Sequence, residues 1–149
     1  MGQQQLLLLV LGIVIVGLAV VVGIQAFSEN QKKANADALV NDAIRIASDA
    51  QAWMLKPTAF GGGNNSCATA CTWQTGAGDD VDFPQLGYPV TSGEYVNLNG
   101  SFAMTVSGAV LTITATSDAS GNQVTVAVSG TGPTDIATTV DTSYAPASA

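Results

Sequence analysis

The sequence predicts an α+β protein, a long N-terminal hydrophobic helix packed by its C-terminal half against a small antiparallel β-sheet head. Three observations predict it. Residues 6–24 are nineteen consecutive positions without a charge or a proline. Leu39, Ala43, Ile46, Ala50 and Trp53 follow at spacings of four and three, the stripe that one helix face buries. Residues 102–107, 110–116 and 123–129 then alternate small or polar with apolar side chains, the period of strands covered on one face.

The first element reads as one helix from Met1 to about Leu55. Its apolar run would be about 28 Å long, close to the roughly 30 Å of a bilayer core. Val14 and Ile15 sit near the centre of that run, and Gly12, Gly17 and Gly23 interrupt it. Each glycine weakens a water-exposed helix by roughly 1 kcal/mol, whereas in lipid or against other helices it permits close backbone approach. Asp42, Arg45 and Asp49 share a second face, at spacings where ion pairs contribute about 0.2–0.5 kcal/mol each. Lys56-Pro57 ends the helix, because a residue before proline is pushed out of the α region. The chain thus divides into a hydrophobic helix over 1–27, an amphipathic extension over 28–56 and a β-rich head over 57–149.

From Pro57 to about Glu94 the sequence predicts irregular structure, with Gly61-Gly62-Gly63-Asn64-Asn65 followed by Gly76, Gly78, Pro84, Gly87 and Pro89. Within it lies Cys67-Ala-Thr-Ala-Cys71. Zinc takes four ligands, and the chain has no histidine and no third cysteine. The pair therefore reads as a small disulfide loop of an exported protein. Asn99-Gly100, Ser107-Gly108 and residues 118–122 supply turns between strands. Residues 95–98 are a candidate further strand, and the Thr-, Ser- and Pro-rich tail from Thr131 is expected to run irregularly over the head. The stripe around Ile46 and Trp53 is the long apolar surface available to cover the sheet.

Charge is distributed unevenly. All four bases (Lys32, Lys33, Arg45, Lys56) precede Pro57 and are balanced there by four acids. The net charge of −7 therefore belongs to the head, whose seven acids have no Lys or Arg among them. Such a surface repels nucleic acid and anionic lipid head groups. Without histidine, Ser–His and Cys–His catalytic pairs are excluded, and neither an enzymatic activity nor a cofactor is expected. Asp79-Asp80-Val81-Asp82 lacks the spacing and terminal glutamate of a calcium loop and reads as a solvated acidic turn. Asn64-Asn65-Ser66 and Asn99-Gly100-Ser101 fit the N-glycosylation pattern, which makes Asn64 and Asn99 candidate acceptors.

The order of apolar helix, amphipathic extension, glycine-rich loop with a disulfide and antiparallel strands resembles the type IV pilin and pseudopilin family. The likeness in layout covers nearly the whole chain. In that family a peptidase cuts after a glycine, and the apolar helix passes from the membrane into the core of a helical filament. The matching glycine here is Gly2, which would leave Gln3 at the new terminus. The resemblance implies copies of the same chain as partners in a helical homopolymer, the membrane before assembly, and a pilus assembly machinery. It also implies export across the inner membrane to an extracellular filament for adhesion or motility. Two positions depart from the family's pattern: only Met1 precedes Gly2, where the family has Lys or Arg, and Leu7 stands at the family's glutamate position. Gln3, Gln4 and Gln5 are then the polar side chains beside the mature terminus. A pseudopilin of a secretion machine and a monomeric membrane-anchored binding domain are the alternative readings. Lys32 and Lys33 beyond the apolar run would by the positive-inside rule hold the head in the cytoplasm. The cysteine pair and the acidic, Ser- and Thr-rich head place it outside, and that placement is the one expected.

Overall fold

The structure is a computed structural model that describes residues 1–63, 67, 70–74 and 78–145. One helix, α1 (Gly2–Leu55), accounts for 54 residues, about 81 Å at 1.5 Å per residue. It stops where Lys56 turns extended (φ −76°, ψ 135°) ahead of Pro57, and the Lys56 N–H returns to the Trp53 carbonyl. Among the described residues, the segment beyond holds one 3-10 turn (Thr58–Phe60) and a four-residue helix, α2 (Phe83–Leu86). Asp82 caps α2: its side chain accepts from the backbone while Gln85 reaches back, a reciprocal capping box.

Five antiparallel strands form a meander in chain order: β1 (Tyr95–Val96), β2 (Ser101–Ser107), β3 (Val110–Ser117), β4 (Asn122–Val128) and β5 (Ile136–Asp141). Register follows the apolar alternation. Leu111, Ile113 and Ala115 of β3 lie opposite Val128, Val126 and Val124 of β4, and all six are buried. Thr112, Thr114 and Thr116 alternate with them on the open face. A slip of one residue would turn those hydroxyls into the core, which pins the pairing.

The stripe Leu39, Ala43, Ile46, Ala50 and Trp53 is buried in full, joined by Ala47 and Met54, and packs on Phe102 and the β3–β4 side chains. Burying each large side chain contributes roughly 1.5–3 kcal/mol, while the alanines let helix and sheet approach closely. The core continues into the irregular segment through Trp73, Val81 and Phe83. The Trp73 indole donates to the Ala109 carbonyl (3.0 Å) and that of Trp53 to Gly61 (2.8 Å), so neither buried N–H is left without an acceptor.

The tail departs from the expected irregular course. Residues 136–141 pair with β4 over the whole register from Val128↔Ile136 to Gln123↔Asp141. Without β5 the backbone groups of β4 would be an open edge. Ala137, Thr138, Thr139 and Val140 are mostly exposed, as an edge strand of small and β-branched residues can be. The candidate strand over 95–98 shortens to β1, because Asn97 and Asn99 turn back toward α1.

Candidate functional site

The candidate site is the part of α1 that its own head does not cover. Every residue from 2 to 34 is exposed, about 50 Å of helix. Leu8 is 66% exposed, Val14 53% and Ile15 57%, and none of the most apolar stretch is buried. An apolar surface this large is not stable in water and must enter lipid or meet other helices. The chain therefore carries a membrane-associating or signal-type segment near its N-terminus.

The sequence-singled residues are distributed round this helix, not gathered on one stripe. At 100° per residue Gly12 and Gly23 lie within about 20° of each other, while Gly17 is about 140° away. A Cβ on any of the three would meet nothing of the chain itself. Open backbone is thus offered on two sides, as it would be for more than one helical neighbour. Gln3, Gln4 and Gln5 step through a single turn, with Leu7 one turn on from Gln3. Residues 25–34 add a polar collar of about 15 Å between the apolar run and the head. It holds Phe27 (65% exposed) and the charged Glu29, Lys32 and Lys33.

Three sets of polar contacts fasten the head above this collar. At its base Asn122 Nδ2 donates to the Lys32 carbonyl (2.8 Å) and to Asn35 Oδ1 (3.0 Å). Asn97 and Asn99 donate to Asp42 Oδ2 (2.9 and 2.6 Å). Midway the Tyr88 hydroxyl donates to Asp49. Burial, then that hydrogen bond and the Asp49 charge, push the Tyr88 hydroxyl up to about 12. Near the top Gln51 Nε2 donates to the carbonyls of Gly130 (2.8 Å) and Gly132 (2.9 Å). The carboxylates of the Asp42–Asp49 face thus bond the head, a role the helical spacing did not reveal. Asn35, Asn97, Asn122 and Tyr88 were likewise not legible as partners, because they meet across 39 to 90 residues.

Cys67 and Cys71 are joined, with Cys71 buried in the core beside Trp73. Asn99 is half-buried with its amide on Asp42, and Asn64 lies outside the described residues. Asp82 caps α2 and Asp80 accepts from Gln74. Among the described residues no cluster of three His, Cys, Asp or Glu is placed to hold a metal. Comparison with protein-family models, with curated proteins and with solved structures finds no match. The layout of a long apolar helix docked by its second half on a small antiparallel sheet is pilin-like.

Proposed function

We propose that this chain is a structural subunit of an extracellular type IV pilus-like filament for adhesion or motility, polymerising through its N-terminal hydrophobic helix. One observation carries the reading: α1 is continuous from Gly2 to Leu55, yet every residue over its first 50 Å or so is exposed, and the head reaches this stretch at its upper end, where Asn122 bonds the Lys32 carbonyl. A lone span needs apolar length only. Glycines open on two sides, within a helix rigidly continuous with the head, suit a bundle in which several helices approach and the heads cover the outside. The membrane holds the helix before assembly, and copies of the same chain replace lipid afterwards.

Electron microscopy of material sheared from producing cells tests this. Filaments that react with antibody to the head are expected. Cells without filaments, together with a chain that stays monomeric in detergent, would favour the other reading that the helix length supports, a solitary membrane-anchored surface domain.

A further inference from the structure

The turn between β1 and β2 carries the dipeptide Asn99-Gly100, in which the backbone nitrogen of the second residue can attack the side-chain amide of the first. Glycine is required here. A Cβ on residue 100 would collide with the Thr116 carbonyl oxygen and press on Leu39. Asparagine is required too, since its Nδ2 is bonded to Asp42 of α1 at 2.6 Å. The joint between helix and head is thus built from a chemically labile pair.

Both reacting groups are held. The peptide plane between them is fixed at each end: the Asn99 carbonyl accepts from Asn35 Nδ2 (3.0 Å) and the Gly100 N–H donates to Asn97 Oδ1 (3.1 Å). The Asn97 side chain is fixed in turn, because its Nδ2 donates to Asp42 Oδ2 (2.9 Å) and its Oδ1 also accepts from the Asn99 N–H (2.8 Å). Attack requires this plane to rotate, the Gly100 N–H to lose its proton, and negative charge to grow on the Asn99 amide oxygen. The hydrogen bonds oppose the first two, and the neighbouring Asp42 carboxylate repels the third.

We propose that Asn99-Gly100 is a deamidation site that Asp42, Asn97 and Asn35 keep closed, so that it reacts only in subunits whose head has come away from the helix. In the open form hydroxide takes the Gly100 amide proton, and the nitrogen bonds to Asn99 Cγ. The Cγ–Nδ2 bond breaks, ammonia leaves with a proton from water, and a cyclic imide remains. Water then opens the ring at either carbonyl, leaving aspartate or an isoaspartyl linkage at position 99. Either product sets a second carboxylate against Asp42, and the isoaspartyl form lengthens the backbone where Gly100 is packed against Thr116. The joint cannot close again as before, and the opening is recorded permanently.

The full chain in detergent micelles is incubated at mildly alkaline pH, and the peptide holding Asn99 is followed by mass spectrometry with an isoaspartyl assay. The folded parent is expected to react many-fold more slowly than the same chain in denaturant. Asp42→Ala and Asn97→Ala should each react several-fold faster than the parent, whereas Gln51→Ala, which loosens the far end of the head, should not. A folded parent as fast as the denatured chain would overturn the proposal, and that comparison needs no variant to fold. So would Asp42→Ala and Asn97→Ala rates equal to that of Gln51→Ala.

Discussion

The Tyr88 hydroxyl of the head donates to the Asp49 carboxylate of α1, across 39 residues of sequence. Tyr88 also stands edge-on to Tyr95, at 5.0 Å between ring centroids, and Tyr95 tilts against the buried Phe102. One hydrogen bond thus ties the helix to an aromatic series that runs into the core. Its strength depends on the phenol keeping its proton.

The alkaline limit of stability follows. Burial first, and then the Asp49 bond and charge, raise Tyr88 from 10.0 to about 12, with Arg45 opposing. A raised folded value means the protonated phenol is favoured in the folded state. Its contribution is complete below about pH 10 and is lost as pH rises toward about 12. Tyr88→Phe should cost about 1.5 kcal/mol at neutral pH, as for a hydrogen bond to a charged group. The difference between parent and variant melting temperatures should shrink across that window, and lysine titration cancels in the comparison. A difference constant from pH 9 to 12 would remove Tyr88 as its source.

Why some of this was legible in the sequence, and some not, comes down to the range of the interactions. The stripe from Leu39 to Trp53 and the Leu111-Thr-Ile-Thr-Ala-Thr116 alternation are written in local periods, and burial follows them residue by residue. β5 has no such signal. Ile136-Ala-Thr-Thr-Val-Asp141 mixes small and β-branched residues without an apolar alternation, is mostly exposed, and becomes a strand because β4 offers it an edge. The exposed helix was legible by composition. The joint was not, since Asn35, Asn99 and Asn122 look like ordinary turn and helix polar residues until folding brings them together. Asn122 is wholly buried, and its Oδ1 has no partner among the described residues.

The disulfide should shape the loop locally and matter little to global stability. Three residues lie between the cysteines, so closing the loop removes little entropy from the unfolded chain. Replacing both by Ser should cost a few kcal/mol at most, chiefly through Cys71, which packs in the core. Intact mass with and without reductant should differ by the two hydrogens of one bridge. Free thiols on the isolated protein would contradict both the bridge and an oxidising location.

A charge placed midway along the apolar helix separates assembly from folding. Val14 and Ile15 lie far from the head, so Val14→Asp or Ile15→Asp should leave its melting unchanged. Within a helical bundle the same carboxylate would be buried without a partner and strongly disfavoured. Filaments should disappear with either variant while the head keeps its fold by circular dichroism. Normal filaments from either one would rule out a core built from these helices.

The last prediction concerns the glutamines. If the chain is cut after Gly2, an amine at Gln3 enters the bundle, and α1 offers no carboxylate before Glu29 to meet it. A bare ammonium among apolar helices is strongly disfavoured, so it needs oxygen acceptors. Gln3, Gln4 and Gln5 step round the helix by about 100° each, so that their amides face three directions. Whichever side a neighbour occupies, at least one amide oxygen can reach its terminus and accept a charge-assisted hydrogen bond. Leu7, one turn beyond Gln3, remains free to pack. Replacing all three glutamines by Leu should leave membrane insertion intact, because it only lengthens the apolar run, but should reduce filament yield sharply. Mass spectrometry of the N-terminal peptide reports whether Met1-Gly2 has been removed. Cell fractionation and electron microscopy then read insertion and assembly separately. A triple-Leu variant that assembles as well as the parent would show that these amides do not receive the amine.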